Sequence, residues 1–422
     1  MRKIGKKRVV ILGGGISGVA MASFYGDGAE VYEQDSELGG KCRTFRVPTS
    51  VGTFVFDVGG HWLHLNGFRE MGSLFQGLAD YRRRACVSTR HGMVDFPIQQ
   101  HYDQLNSPSR VARISRELAE IAERYDAGKT FDNYRDMLIG SYGASLYSLF
   151  FGSYNEKLFG MVDLSEISYG KFELIRNVRI DNKVGYNDVF KYPSGDVGIY
   201  ELIRQLKDMA ESKGATFHTG KRVVKICPEE RTVTFSDCSV VEYDVLVNTT
   251  PLRSFCTMIN NLPDDVRRNA AGLRASRGRI YNLGIVAPMN EYADKTWVYY
   301  ADYNLPFYRV GVYSNVEKQM APEGYSSIYV ECDTFRPIGI KDVVNGLLEE
   351  GWIQRQDDVV VSQKIDLAEN YCFTDSSVDS IISHLEGLNI HSIGRYGRWE
   401  WTSMHENVSQ AVFLADTLKG GM

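Results

Sequence analysis

Gly13, Gly15 and Gly18 stand in the spacing G-x-G-x-x-G, and an acid, Glu33, follows them. The first glycine permits a tight turn and the second lets a pyrophosphate approach the backbone. The third lets a helix pack closely on a strand, and the N-terminus of that helix then faces the phosphates. Glu33, at the end of a second strand, can hydrogen-bond a ribose 2′-hydroxyl. The bland alternative is a glycine-rich turn in an ordinary α/β protein. A strand before the turn, a helix after it and the acid beyond favour a dinucleotide site. Two further glycine pairs follow: Gly39 and Gly40 precede Lys41 and Arg43 in ELGGKCRTF, and Gly59 and Gly60 precede His61 in FVFDVGGHWLHL. Without a Cβ, glycine main chain can lie against a flat ring.

Other chemistries find little support. The seven cysteines, Cys42, Cys86, Cys227, Cys238, Cys256, Cys332 and Cys372, are scattered, odd in number and free of any C-x-x-C spacing. That pattern argues against a disulfide framework or zinc site and fits a reducing compartment. No metal cluster, no Ser–His–Asp set and no general-base dyad is legible. A net charge of −5 argues against general nucleic-acid binding, which needs a basic face, but leaves room for a small anionic substrate held by a few arginines.

The elements that must position these residues read as follows. Arg8 to Leu12 is a β-branched strand, Val19 to Tyr25 begins a helix, and Ala29 to Glu33 is a second strand, a βαβ unit. Pro108 to Tyr154 carries apolar residues three and four apart and is expected to be helical. Strands are expected at Lys221 to Ile226, Thr232 to Phe235, Val245 to Asn248, Ile280 to Val286, Trp297 to Tyr300, Tyr308 to Tyr313, Ser327 to Cys332 and Ile390 to Ile393. A helix closes the chain from about Asn407 to Leu418. The basic N-terminus ahead of VVILGGGISG imitates a signal peptide, but consecutive glycines break the apolar run. No stretch of about 18 apolar residues marks a membrane span. A cytoplasmic protein is expected.

The glycine turn with Glu33, the GGK segment and the FDVGGH segment resemble the FAD-binding fold shared by amine oxidases, protoporphyrinogen oxidases and UDP-galactopyranose mutases. DVLVNTTPL and HSIGRYG resemble its returning strands, and the resemblance brings Gly394, Arg395 and a helix N-terminus to the flavin. A helix N-terminus near the flavin N1–O2 edge would stabilise an anionic reduced flavin. Val224 is assigned to the cofactor on the same basis. The resemblance implies an α/β fold: a Rossmann-like FAD-binding domain with a helical lobe and a mixed, largely antiparallel β-sheet domain. The FAD-binding domain is expected to be assembled from three stretches, 1–95, 196–275 and the C-terminal 386–422. A helical substrate lobe is expected at 96–195, and a sheet and substrate domain at 276–385.

A narrower resemblance, to the eukaryotic type of UDP-galactopyranose mutase, runs over nearly the whole chain. FDVGGHWLHLN, DFPIQQ, FFGSYNEKLFG, LPFYRVGVYSN and GRYGRWEW resemble that family's blocks, in its order. The resemblance places His61 beside the isoalloxazine; a backbone-satisfying turn residue is the alternative. It implies that Arg309 grips a diphosphate, with Arg176 second and Arg179 nearby. The planar guanidinium fork makes paired hydrogen bonds to phosphate. A structural ion pair is the other reading of Arg309. The alternation in LPFYRVGVY puts Arg309 and Phe307 on one face. Phe96, Gln99, Asn155, Phe159 and Tyr299 would surround the base, with aromatic faces for stacking and amides for its edge; core packing is the alternative for each aromatic. Tyr371 and Tyr396 are candidate sugar or flavin neighbours. Phe96 stands where the family generally has Tyr, Phe159 where it has Trp, and Trp401 with HENV where it has Tyr and an N-Q-D-H-like run. These departures leave the base open, thymidine nucleotides included.

The activity implied is pyranose–furanose interconversion of a nucleotide sugar, UDP-galactose first. Reduced FAD would act through N5 as nucleophile at the anomeric carbon with no net redox, and NADPH or NADH would serve as reductant. An amine-oxidase-like or protoporphyrinogen-oxidase-like oxidoreductase on the same fold is the alternative, and a flavin-stabilised binding module is a third reading. A homo-oligomer remains open.

Overall fold

The computed structural model describes residues 7–63, 74–124, 130–168, 188–195, 197–373 and 376–420. A five-stranded parallel sheet carries the expected βαβ unit. Its order is Ile390–Ser392, Val245–Asn248, Val9–Leu12, Ala29–Tyr32 and Thr216–His218, so sequence-distant strands flank the first. Val9–Leu12 is buried throughout, as a central parallel strand covered on both faces must be. Helix Ile16–Tyr25 is buried at every residue except Phe24 and lies between helices Tyr200–Ser212 and Met404–Gly420. Its run of Gly, Ala and Ser permits that close approach. A Cβ at Gly18 would lie 1.9 Å from the carbonyl oxygen of Gly13, so the third glycine of the motif is a packing requirement.

The second large sheet has seven strands: Val359–Leu367, Gly278–Val286, Tyr325–Cys332, Phe307–Val312, Trp297–Tyr300, Ala85–Thr89 and Gly92–Asp95. Every pairing is antiparallel except that of Trp297–Tyr300 with Ala85–Thr89. The last two strands belong to the first 95 residues, yet they extend this sheet and not the parallel one. One face packs on helix Ile340–Glu349 through Leu283, Val310, Val330 and Leu347. The other face looks toward the main core and the cofactor region. A three-stranded antiparallel sheet, Val223–Cys227, Thr232–Phe235 and Val240–Glu242, stands beside the parallel sheet.

The stretch read as helical contains helices Pro108–Glu123, Tyr134–Leu146 and Gly152–Leu158, the last two joined through a π-helical turn at Tyr147–Phe151. Gly143 interrupts the second at φ +85, because the chain there leaves helical geometry beside Glu117. The architecture is the α/β one expected, a Rossmann-like parallel sheet with a helical lobe and a mixed, largely antiparallel sheet. Among the described residues no helix is long and apolar enough to cross a membrane.

Candidate functional site

A cavity of about 880 Å³ runs from the glycine turn, past Glu33, to His61 and Arg395. Both ends of the chain build it. The Val9–Leu12 strand delivers Gly13 and Gly15, and the loops after Val245–Asn248 and Ile390–Ser392 deliver Thr249, Thr250, Arg395 and Tyr396. Gly15 caps the N-terminus of helix Ile16–Tyr25, and a Cβ built there meets nothing within 4 Å. That free space is where a phosphate would approach the helix amides. Glu33 is buried, and its carboxylate accepts from the amides of Gly14 at 2.6 Å and Asp35 at 2.9 Å. Those bonds fix its orientation and leave lone pairs for ribose hydroxyls. Gly39 and Gly40 (φ +115 and +55) line the cavity beside Gly15, and the Gly39 amide donates to the Gly14 carbonyl.

Positive charge gathers at the far end. Lys41 donates to the Glu369 carbonyl and the Tyr396 hydroxyl. Burial, and then the charge of Arg395, push its ammonium down to about 7. Arg43 is tied to Asp35 and the Gly40 carbonyl, both at 3.1 Å. Arg395 lies over the Tyr371 ring at 5.1 Å and near Trp401 at 5.7 Å, and its Nε and Nη2 are buried without a hydrogen-bond partner. Buried orphan donors are costly. Unpaired guanidinium hydrogens lining a cavity call for an anionic or carbonyl-bearing occupant. The open space at Gly15, the held acid Glu33 and these orphan donors fit FAD. Gly394 has φ +82, and its amide donates to Gln410. The final helix starts at the cavity, with Ser403 and Glu406 capping its first turn.

His61 is half-buried, with Nδ1 3.1 Å from the Gly59 carbonyl. Against a carbonyl oxygen Nδ1 must carry the proton, so Nε2 is the acceptor in the neutral ring. Burial pushes the imidazole down to about 4, and Lys41, Arg395 and Arg309 push it the same way. Gly60 lines the cavity, and Gly59 (φ +77) backs on Ile280 and Glu331. Val224 is exposed, whereas Val223 lines the cavity: the strand alternates there and carries a bulge between Val223 and Lys225.

Arg309 emerges from the strand Phe307–Val312 directly opposite Glu331, with which it forms an ion pair through Nε. The ion pair and a guanidinium 5.9 Å from the Tyr299 ring occur together. Burial opposes the Arg309 charge, but Glu331 together with Tyr154, Tyr329 and Tyr371 outweighs it, so the guanidinium stays protonated. The expected shared face of Arg309 and Phe307 is corrected. A bulge between them breaks the alternation, and Phe307 turns into the core beneath helix Ile340–Glu349 while Tyr308 faces the main core. Glu331 escaped the sequence reading; its signal was a lone charge in the otherwise uncharged run YSSIYVEC.

Tyr299 packs against Phe96 at 4.9 Å and Tyr154 at 5.3 Å. Phe159, Tyr371 and Trp401 form a second group, with centroids 4.8 to 6.0 Å apart. Burial raises the hydroxyl pKa of Tyr154, Tyr308 and Tyr371, which therefore remain neutral donors. Asn155 is buried; it accepts from the Tyr134 hydroxyl at 3.1 Å and donates to the Phe151 carbonyl at 2.7 Å. Gln99 is half-buried on the short helix Ile98–His101. Arg176 and Arg179 lie outside the described residues. Among the described residues no group of His, Cys, Asp or Glu could hold a metal ion.

This architecture is similar to that of several solved structures. The structure of a reduced UDP-galactopyranose mutase superimposes with a TM-score of 0.87 at 23% identity, covering 99% of this chain and 94% of that one. A CLA-producing fatty acid isomerase from P. acnes matches at 0.66 and 13% identity, with 99% of each chain covered. A putrescine oxidase bound to putrescine matches at 0.68 and 13%, covering 98% of this chain and 99% of that one. At these identities the likeness establishes an FAD-binding, amine oxidase-like fold. The sequence profile of the flavin-containing amine oxidoreductases matches residues 25–276, more than half of the chain, which therefore belongs to that family.

Proposed function

We propose that this protein is a flavin-dependent mutase that interconverts the pyranose and furanose forms of a nucleotide sugar, UDP-galactose first. The observation that carries this reading is the charge of the site. Lys41, Arg309 and Arg395 all act electrostatically on His61; Glu331 offsets Arg309, and Arg395 keeps donors to spare. An amine substrate is a cation and would be repelled there, whereas a diphosphate carries two negative charges. The likeness to the reduced UDP-galactopyranose mutase supports the same choice.

FAD would be held along Gly13, Gly15, Glu33 and Arg395 and, in its reduced form, would supply a nucleophilic N5 for the anomeric carbon with no net electron consumption. The chain's own residues bind and orient. Arg309, with Arg176 as its proposed partner, grips the diphosphate. Tyr299 and Phe96 offer ring faces, and Phe159, Gln99 and Asn155 complete the nucleotide end. Tyr371, within electrostatic reach of Arg309 and Arg395, is a neutral donor. His61 keeps its proton on Nδ1 and presents Nε2 as an acceptor. NADPH or NADH would reduce the flavin. A cytoplasmic enzyme of this kind would provide galactofuranose for cell-surface polysaccharide.

The test is to incubate dithionite-reduced protein with UDP- and dTDP-furanoses and separate the products by chromatography. Pyranose should form without consumption of reductant. Turnover of an amine with oxidised flavin in air, matched by peroxide, would replace this reading with the oxidoreductase one.

A further inference from the structure

Lys157 is among the largest fully buried side chains of the molecule, at 1% exposure, and makes no ion pair among the described residues. Its ammonium donates to three main-chain carbonyls, those of Asp302 at 2.7 Å, Leu305 at 3.0 Å and Phe307. Three acceptors need three N–H donors, which only the charged form has. Burial pushes this ammonium down to about 8, against the opposing charge of Asp333. Two of the three carbonyls lie in the loop that joins strand Trp297–Tyr300 to strand Phe307–Val312, and the third, that of Phe307, opens the second strand. Tyr299 stands before that loop and Arg309 after it. Glu156, next to Lys157, accepts from the Tyr303 hydroxyl of the same loop. From the far side Arg336 donates to the carbonyls of Tyr303 at 2.9 Å and Leu305 at 2.7 Å. The helix Gly152–Leu158 also carries Tyr154, whose ring meets Tyr299 at 5.3 Å and Tyr308 at 6.1 Å.

We propose that Lys157 is a positioning residue for Arg309 and Tyr299: it clamps the loop between them to the helical lobe, so that both substrate-facing side chains are set by one buried ammonium. The bulge at Tyr308 explains the need. A bulge frees local backbone groups from the ladder and re-aims a side chain, and the Phe307 carbonyl at the bulge is one of those that Lys157 holds. Through these bonds helix Gly152–Leu158 is tied to the large sheet.

The clamp rests on geometry, and its consequence for UDP rests on the nucleotide-sugar reading. The experiment uses full-length, flavin-loaded Lys157→Met. Amide exchange in Trp297–Tyr300 and Phe307–Val312 should quicken roughly tenfold or more while Val9–Leu12 is unchanged, because local opening is confined to the unclamped hairpin. The UDP Kd should rise about tenfold with flavin content intact. If Lys157→Met does not fold, Tyr303→Phe removes the neighbouring tie without stranding a buried cage, and should shift exchange and affinity less but in the same direction. Wild-type exchange in both strands, or a uniform rise that includes Val9–Leu12, would overturn the proposal; the latter marks a merely structural role. If the wild-type protein fails to bind UDP, the nucleotide-sugar reading falls, and the exchange result still decides the clamp.

Discussion

Substituting Arg309 tests the substrate reading, but the ion pair with Glu331 dictates how. The two side chains are 20% and 10% exposed. Arg309→Ala leaves a nearly buried carboxylate unpaired, which costs about 3 to 5 kcal/mol of stability whatever the arginine does for substrate. A fall in Tm for that variant is therefore expected and decides nothing. Arg309→Met with Glu331→Gln removes both charges, and most of the lost stability should return, since the two sites are strongly coupled. If Arg309 also grips a diphosphate, UDP affinity stays low in the double variant. A charge-assisted contact in a partly dry site is worth about 2 to 4 kcal/mol, or roughly 30- to 1000-fold in Kd. Arg309→Lys should keep the pair and much of the stability but recover affinity only incompletely, because an ammonium lacks the paired fork. Calorimetric titration with UDP and thermal denaturation of the same samples measure both quantities. Wild-type UDP affinity in the double variant would show that Arg309 serves only its strand neighbour.

Other outcomes follow from the cofactor half. Gly15→Ala should leave the fold intact and lower flavin content, because its Cβ meets only open cavity, whereas Gly18→Ala should fail to fold, with its Cβ 1.9 Å from the Gly13 carbonyl; flavin absorbance and circular dichroism separate the two. The flavin should leave the protein on acid precipitation and run as FAD, and flavin that stays in the pellet would contradict a non-covalent site. His61 has a folded pKa of about 4 against an ordinary 6.5, so the unfolded chain binds more protons between those values. The stability contributed by its neutral form is complete above about pH 6.5 and is lost as pH falls toward 4. Asp57, pushed up to about 6 by burial, acts with the opposite sign. The difference between wild type and His61→Asn across that window is therefore the measurement, and a flat difference would refute the assignment.

The cofactor half was legible because its signals are local. Gly13, Gly15, Gly18 and Glu33 fall within one βαβ unit, and each carries a steric or hydrogen-bonding requirement that few other residues meet. Lys41 and His61 follow within the same segment. Val224 shows the limit of such reading: a single bulge decides whether it or Val223 faces the cavity, and bulges leave no reliable mark in a strand of valines.

The substrate half was less legible for a topological reason. Tyr299, Arg309, Glu331, Tyr371 and Trp401 come from separate strands and loops, and only pairing register brings them together. The alternation rule gave the wrong partner for Arg309 because the bulge beside Tyr308 reverses the faces upstream of it. Yet the violations of pattern were themselves informative. Glu331 is a charge among buried strand residues, and Lys157 is a lysine on a helix turn whose neighbours Asn155 and Leu158 are also buried. A buried charge survives only where something compensates it: one of these meets an arginine and the other a ring of carbonyls, and both compensations converge on the hairpin that carries Arg309. A sequence read for charges that break the apolar pattern, and not only for motifs, would have pointed to that hairpin.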